Sequence, residues 1–126
     1  MNVQFYTARF DEATWHFFAR FGINARYMRE ARRGMAAVES HTRYLRELHA
    51  GDLIRVTSEL LEAKPKAVRF LHRMYDAVTG EEAATAELTG VHMDTEARRV
   101  VPFPDEIAAR LQFALAQDAP GPRAGA

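Results

Sequence analysis

Seven of the thirteen aromatic side chains in this sequence (eight Phe, four Tyr and one Trp) are crowded between Phe5 and Phe21. Within that stretch Val3, Tyr6, Phe10, Ala13, Phe17 and Phe21 recur at the helical period, and Phe5, Trp15 and Phe18 widen the stripe beyond a simple amphipathic face. The stretch reads as a helix from Val3 to Phe21, about 28 Å long at ~1.5 Å per residue. Gly22 follows its last periodic residue, where a left-handed stop is wanted. A helix this apolar cannot stand alone, so the rest of the chain must wrap it.

Beyond Gly22 the chain is mostly strand. Asn24 is placed to cap a short helix from Ala25 to about Arg32, which Gly34 then breaks. From Met35 to Arg46 residues alternate, with Val38, Ser40, Thr42 and Tyr44 on one side and Ala37, Glu39, His41, Arg43 and Leu45 on the other. Neither face of that segment is cleanly apolar. Leu53 to Ala63 is a half-buried strand facing inward through Ile54, Val56 and Leu60, and Ala67 to Ala77 alternates Val68, Phe70, His72 and Met74 against Arg69, Leu71, Arg73 and Tyr75. The last strand, Ala83 to Asp94, carries small residues on the side of Ala84, Ala86, Leu88, Gly90 and His92, which lets a helix approach closely. Asp105 to Leu115 forms a terminal helix, and Ala119-Pro120-Gly121-Pro122 opens a tail expected to be disordered. The expectation is one domain over residues 1–117 with a tail at 118–126, in which antiparallel strands form a meander curled around the first helix in an α+β arrangement.

Composition narrows the function classes. The 126 residues suffice for a core of their own, and the formal net charge of zero supplies no global field for nucleic acid. Cysteine is absent, which removes disulfides, thiolate nucleophiles and cysteine metal sites. No stretch approaches the roughly 18 consecutive apolar residues of a spanning helix, and no basic segment leads into an apolar one at the start. These features read as a cytoplasmic protein with no membrane or nucleic-acid partner.

The order of elements, the Tyr44-Leu45-Arg46-Glu47 to Gly51-Asp52 junction, and Val91-His92-Met93-Asp94 followed by Pro102-Phe103-Pro104 resemble a hotdog-fold acyl-CoA thioesterase of the 4-hydroxybenzoyl-CoA type, from Met1 to about Leu111. Phe10-Asp11-Glu12-Ala13-Thr14-Trp15 and the segment from Val38 to Arg46 are also similar to the betainyl-CoA thioesterases of carnitine breakdown, whose acyl group carries a quaternary ammonium. Members of the family begin with a strand, then a loop bearing an aspartate and a histidine-hydrophobic-asparagine motif. Only Met1 and Asn2 match the last two motif positions here, and the first strand is missing. The resemblance therefore implies a longer native protein with its aspartate upstream of Met1; the other expectation is an inactive or differently working relative. A missing strand would leave an unpaired sheet edge and one bare side of an apolar helix.

The resemblance implies a carboxylate that activates water or attacks the thioester carbonyl, with backbone N–H groups at the helix start, at Asn2 and Val3, holding the developing oxyanion. Glu39, beside His41 on one strand, is the internal candidate for the carboxylate; a partly buried Glu39–His41 pair, or pairing with Arg43, is the plain alternative. Glu12 is the runner-up, since another hotdog branch carries its carboxylate on the helix, while Asp11 and Glu12 together could equally form a polar patch. Tyr6, Trp15 and His41 are the expected pocket walls, Trp15 or neighbouring rings serving a cationic acyl group, although the aromatics are as readily plain core. Arg32 and Arg33 are the preferred contacts for the phosphates of coenzyme A, against the reading that they are solvated charges. His72 and His92, lacking partners at ligand spacing, read as core residues, so no metal is expected, and no cofactor beyond the coenzyme A of the substrate. The resemblance further implies a homodimer or homotetramer. The alternative function is a non-catalytic hotdog subunit that binds acyl-CoA; a hotdog dehydratase is disfavoured by the absence of a His-Gly-rich entry to the helix.

Overall fold

The computed structural model describes residues 3–117; Met1, Asn2 and the expected tail at 118–126 lie outside the described residues. The elements are α1 (Val3–Ala19), α2 (Ala25–Ala31), β1 (Arg33–Tyr44), β2 (Ile54–Ala63), β3 (Ala67–Asp76), β4 (Glu82–Asp94), β5 (Arg99–Val100) and α3 (Asp105–Gln117). Helix α1 closes with a Schellman motif: Gly22 has φ +90°, its N–H donates to Ala19 O at 3.1 Å, and Ile23 N–H reaches back to Phe18 O at 3.1 Å. The last turn tightens through Arg20 N–H to Phe17 O and Phe21 N–H to Phe18 O, so Phe21 keeps its place in the apolar stripe beyond the regular helix. Asn24 caps α2 as expected, its side chain accepting from Tyr27 N–H at 2.8 Å.

The strands pair antiparallel in the order β1-β4-β3-β2, with β5 added to β4. Only β2, β3 and β4 form a meander. Strand β1 pairs with β4 instead of β2, because residues 45–53 carry the chain past the start of α1 to the far side of the sheet. Tyr6 holds that connection: its hydroxyl donates to Arg46 O at 3.3 Å and accepts from Leu48 N–H at 3.2 Å, and Leu48 is buried beside it.

The register lines up the inward-facing residues in rows across the sheet. Ser58, His72, Ala86 and Thr42 form one row, and Leu60, Phe70, Leu88 and Ser40 the next. Strand β1 departs from strict alternation by a bulge between Ala37 and Glu39. Before it Met35 and Ala37 oppose the buried His92 and Gly90; after it Ser40, Thr42 and Tyr44 oppose Leu88, Ala86 and Ala84. The extra residue explains why neither face of this segment looked cleanly apolar: the inward set changes parity at Val38.

Two core clusters lie between α1 and the sheet. One joins Phe17, Phe18 and Phe21 to Leu60, Phe70, Phe103, and Ile107 and Leu111 of α3; the other joins Tyr6 and Phe10 to Leu48, Met74, Ala83, Ala84 and Ala86. Phe70 ties the first together, its ring 5.2 Å from both Phe17 and Phe18. The wrapping of α1 is incomplete, with Val3 60% and Trp15 45% exposed. No helix among the described residues is long and apolar enough to cross a membrane.

Candidate active site

Ala84 and Ala86 of β4 join Tyr6 and Phe10 of α1 in the core, but farther along the strand the helix stands off the sheet. Above Ala86, Leu88 and Gly90 a cavity of about 300 Å³ remains between α1, β1 and β4. Helix α1 contributes Thr7, Phe10, Asp11, Thr14, Trp15 and Phe18, the i, i+3, i+4 repeat of one helical face. Strand β1 contributes Met35 and Ala37 before its bulge and Ser40 and Thr42 after it. The register gives the cavity two ends. Thr7, Asp11, Ser40 and Thr42 make one end polar, while Trp15, Phe18 and Met35 make the other aromatic and apolar, around Gly90. A Cβ at Gly90 would stand 3.6 Å from the Phe18 ring and 3.4 Å from Met35 Cε, ordinary contact distances, so Phe18 and Met35 close directly over that end.

The candidate residues divide clearly in space. Trp15 lines the cavity rim, its ring edge-on to Phe18 at 6.1 Å. Glu12 does not line it; it faces a separate groove between α1 and β2, with Arg9, His16 and Ser58, and pairs with Arg9 at 3.0 Å. Glu39 and His41 are exposed and oppose Thr89 and Glu87, on the outward side that the bulge assigns to odd-numbered residues. Tyr6 is spent on the 45–53 connection, and Val3 is exposed at the start of α1. Arg32 adopts the left-handed conformation at the end of α2 and pairs with Glu96, while Arg33 pairs with Asp94 at 3.2 Å. Both arginines thus bind the β4–β5 hairpin. Asn2 lies outside the described residues.

Asp11, Thr7, Thr14, Ser40 and Thr42 were not singled out from sequence as one site. Their signal was available in part, since Thr7, Asp11, Thr14 and Phe18 repeat at helical spacing along one face of α1. Asp11 sits at the mouth, exposed, and is the one carboxylate among the described residues on that wall.

Behind the cavity lies His72, wholly buried in the row under α1. Its Nε2 is 2.9 Å from Thr14 Oγ1 and its Nδ1 is 2.7 Å from Ser58 Oγ. Phe10 stacks on the imidazole at 6.0 Å, and Phe17 and Phe70 present edges at 6.3 and 5.2 Å. Burial pulls its pKa down to about 4, so the ring is neutral at pH 7. Among the described residues no three histidine, aspartate or glutamate side chains gather as metal ligands.

A long helix laid across a curled antiparallel sheet, with a cavity between them, is the hotdog arrangement. Residues 1–111 match the Thioesterase-like superfamily, and the chain belongs to that family. The chain is 36% identical over 91 residues to an L-carnitine dehydrogenase/betainyl-CoA thioesterase of Rhizobium meliloti, covering 72% of this chain and 18% of that protein. It is 27% identical over 113 residues to a betainyl-CoA thioesterase of Pseudomonas aeruginosa, covering 90% of this chain and 70% of the relative. The chain spans roughly a fifth of the length of the two-function relatives. Among solved structures, a Staphylococcus aureus protein in complex with CoA superposes with a TM-score of 0.87 at 22% identity, over 92% of this chain and 73% of that one. A gentisyl-coenzyme A thioesterase superposes with a TM-score of 0.76 at 20% identity, over 89% of this chain and 86% of that one.

Proposed function

We propose that the chain hydrolyses an acyl-CoA thioester in the cavity between α1 and β1, with Asp11 as its carboxylate. The observation that carries this reading is the presence of Asp11, alone of the carboxylates in the described residues, on the wall of the cavity. In this reading Asp11 takes a proton from water as the water oxygen bonds to the thioester carbonyl carbon. The tetrahedral intermediate then expels the coenzyme A thiolate as the C–S bond breaks, and the thiolate takes the proton from Asp11. Thr7, Ser40 and Thr42 beside Asp11 supply hydroxyls that hold the water and the developing oxyanion.

The acyl group would be short and cationic, as the names of the relatives suggest. Trp15 lies one helical turn beyond Asp11, about 6 Å along the axis, which suits a quaternary ammonium one carbon away from the thioester carbonyl. The rings of Trp15 and Phe18 offer such a cation π faces instead of a counterion. Arg32 and Arg33 belong to this reading only as contacts for the coenzyme A phosphates outside the cavity. Assembly as a homodimer or homotetramer is also part of it, supported by the outer edge of β1, unpaired among the described residues, and the exposure of Val38 and Tyr44.

Thiol release from betainyl-CoA, and from 3,3-dimethylbutyryl-CoA as its uncharged isostere, tests the proposal. The reading requires release from betainyl-CoA and its loss in Asp11→Asn. Binding without release would favour a non-catalytic acyl-CoA-binding subunit.

A further inference from the structure

For a neutral His72 the hydrogen bonds around the ring admit one assignment that satisfies every group. The Thr14 hydroxyl is 2.9 Å from Phe10 O, a carbonyl that can only accept, so its single proton is committed there. Thr14 Oγ1 must then accept from His72 Nε2–H at 2.9 Å. A neutral imidazole with its proton on Nε2 has a bare Nδ1, which accepts from the Ser58 hydroxyl at 2.7 Å. The opposite tautomer would make Thr14 donate to Nε2 and leave two oxygens, Thr14 Oγ1 and Phe10 O, facing each other at 2.9 Å without a proton.

We propose that Ser58, His72 and Thr14 form a directional relay that holds Thr14 as an acceptor-only wall residue, making Thr14 a specificity-determining position for the acyl group. The inference rests on the thioesterase reading above. Thr14 lies between Asp11 and Trp15 in sequence and lines the same cavity. With its proton on Phe10 O and one lone pair taken by His72, the oxygen keeps a single lone pair, so a group reaching it meets that lone pair and never a proton. Methyl groups on a quaternary nitrogen carry part of the positive charge and are favoured there; an uncharged methyl gains little; a carboxylate is repelled. The relay begins at Ser58, which lines the groove on the opposite side of α1, so the position is supported from outside the acyl site. His72 and Ser58 are positioning residues that act through Thr14.

Two measurements test this on the full chain. The first is the tautomer of His72 from the nitrogen shifts of its ring at pH 7, which needs no ligand: the Nε2–H form is required, and the Nδ1–H form overturns the relay. The second is the ratio of kcat/KM for betainyl-CoA over 3,3-dimethylbutyryl-CoA, with Kd for the same two esters where turnover is absent. Thr14→Val should lower the preference for the cation by about tenfold, mainly through KM, and Thr14→Ser should restore it. Ser58→Ala, remote from the acyl group, should lower the same ratio about threefold. An unchanged ratio in a folded Thr14→Val overturns the specificity role and leaves the thioesterase reading intact. Failure of the wild-type chain to bind or cleave either ester, with the Nε2–H tautomer present, overturns the thioesterase reading and the specificity role with it.

Discussion

His72 on β3 and His92 on β4 are both wholly buried on the inner face of the sheet, and burial lowers the pKa of each. Their partners differ in kind. His92 Nδ1 faces Val101 O at 3.0 Å, so that nitrogen carries the proton, and Nε2 accepts from the Tyr27 hydroxyl at 2.8 Å. Phe103 packs on the ring at 4.7 Å. This imidazole ties α2 to the segment entering α3, at the end of the molecule filled by the α3 cluster. His72 is held by two hydroxyls, one of them on the cavity wall. Two histidines with the same burial thus serve different ends: one ties the closed end of the fold together, and the other backs the wall of the cavity. Burial alone does not distinguish them; the hydrogen-bond partners do.

The largest expected effects separate the two ends by opposite readouts. Asp11→Asn should lower kcat about 10²- to 10⁴-fold with the unfolding midpoint unchanged. Phe103→Ala at the closed end should cost about 3–5 kcal/mol in chemical denaturation while kcat per folded molecule is kept. If either variant moved both readouts, the division would fail.

Acid sharpens the comparison next. The unfolded imidazole of His72 takes up a proton below its ordinary value of 6.5, and the folded one only near about 4. The unfolded state therefore binds more protons in that window, and stability should fall by about 3 kcal/mol as the pH drops from about 6.5 to about 4. His92 contributes in the same direction. Urea midpoints across this range should show the slope in the wild type and a shallower slope in His72→Gln. An identical slope in that variant would assign the acid sensitivity elsewhere.

A smaller effect is expected where one partner of His92 is removed. Tyr27→Phe leaves Nε2 without its donor and should cost about 1–3 kcal/mol, with no change in the preference between cationic and neutral esters. A change in that preference would mean that the closed end also shapes the acyl site. The smallest effects are expected for Glu39→Gln and Glu12→Gln, which should alter stability by less than about 0.5 kcal/mol and leave kcat unchanged. Loss of kcat in either would return the catalytic carboxylate to the outer face of β1 or to the groove against β2.

Much of the frame was legible because local chemistry specified it. Gly22, the Asn24 cap and the alternation of Val68, Phe70, His72 and Met74 each carry their own signal within a few residues. The bulge at Val38 carries none, since an extra residue in a strand shows only when its partner strand is present. That single residue decides that Ser40 and Thr42, and not Glu39 and His41, face the cavity. The crossing of β1 to β4 was hidden for the same reason: it depends on Tyr6 gripping residues 46 and 48, a contact between segments remote in sequence. Asp11 and Glu12 are neighbours in sequence, and only the placement of β1 and β2 on opposite sides of α1 separates their surroundings.

The central claim is that the acyl thioester occupies the cavity carrying Asp11. Amide shift changes in the full chain on titration with betainyl-CoA test it most directly. The account predicts changes concentrated at Thr7, Asp11, Thr14, Trp15 and Ser40. Changes concentrated at Glu12, His16 and Arg20, or at Glu39 and His41, would contradict it.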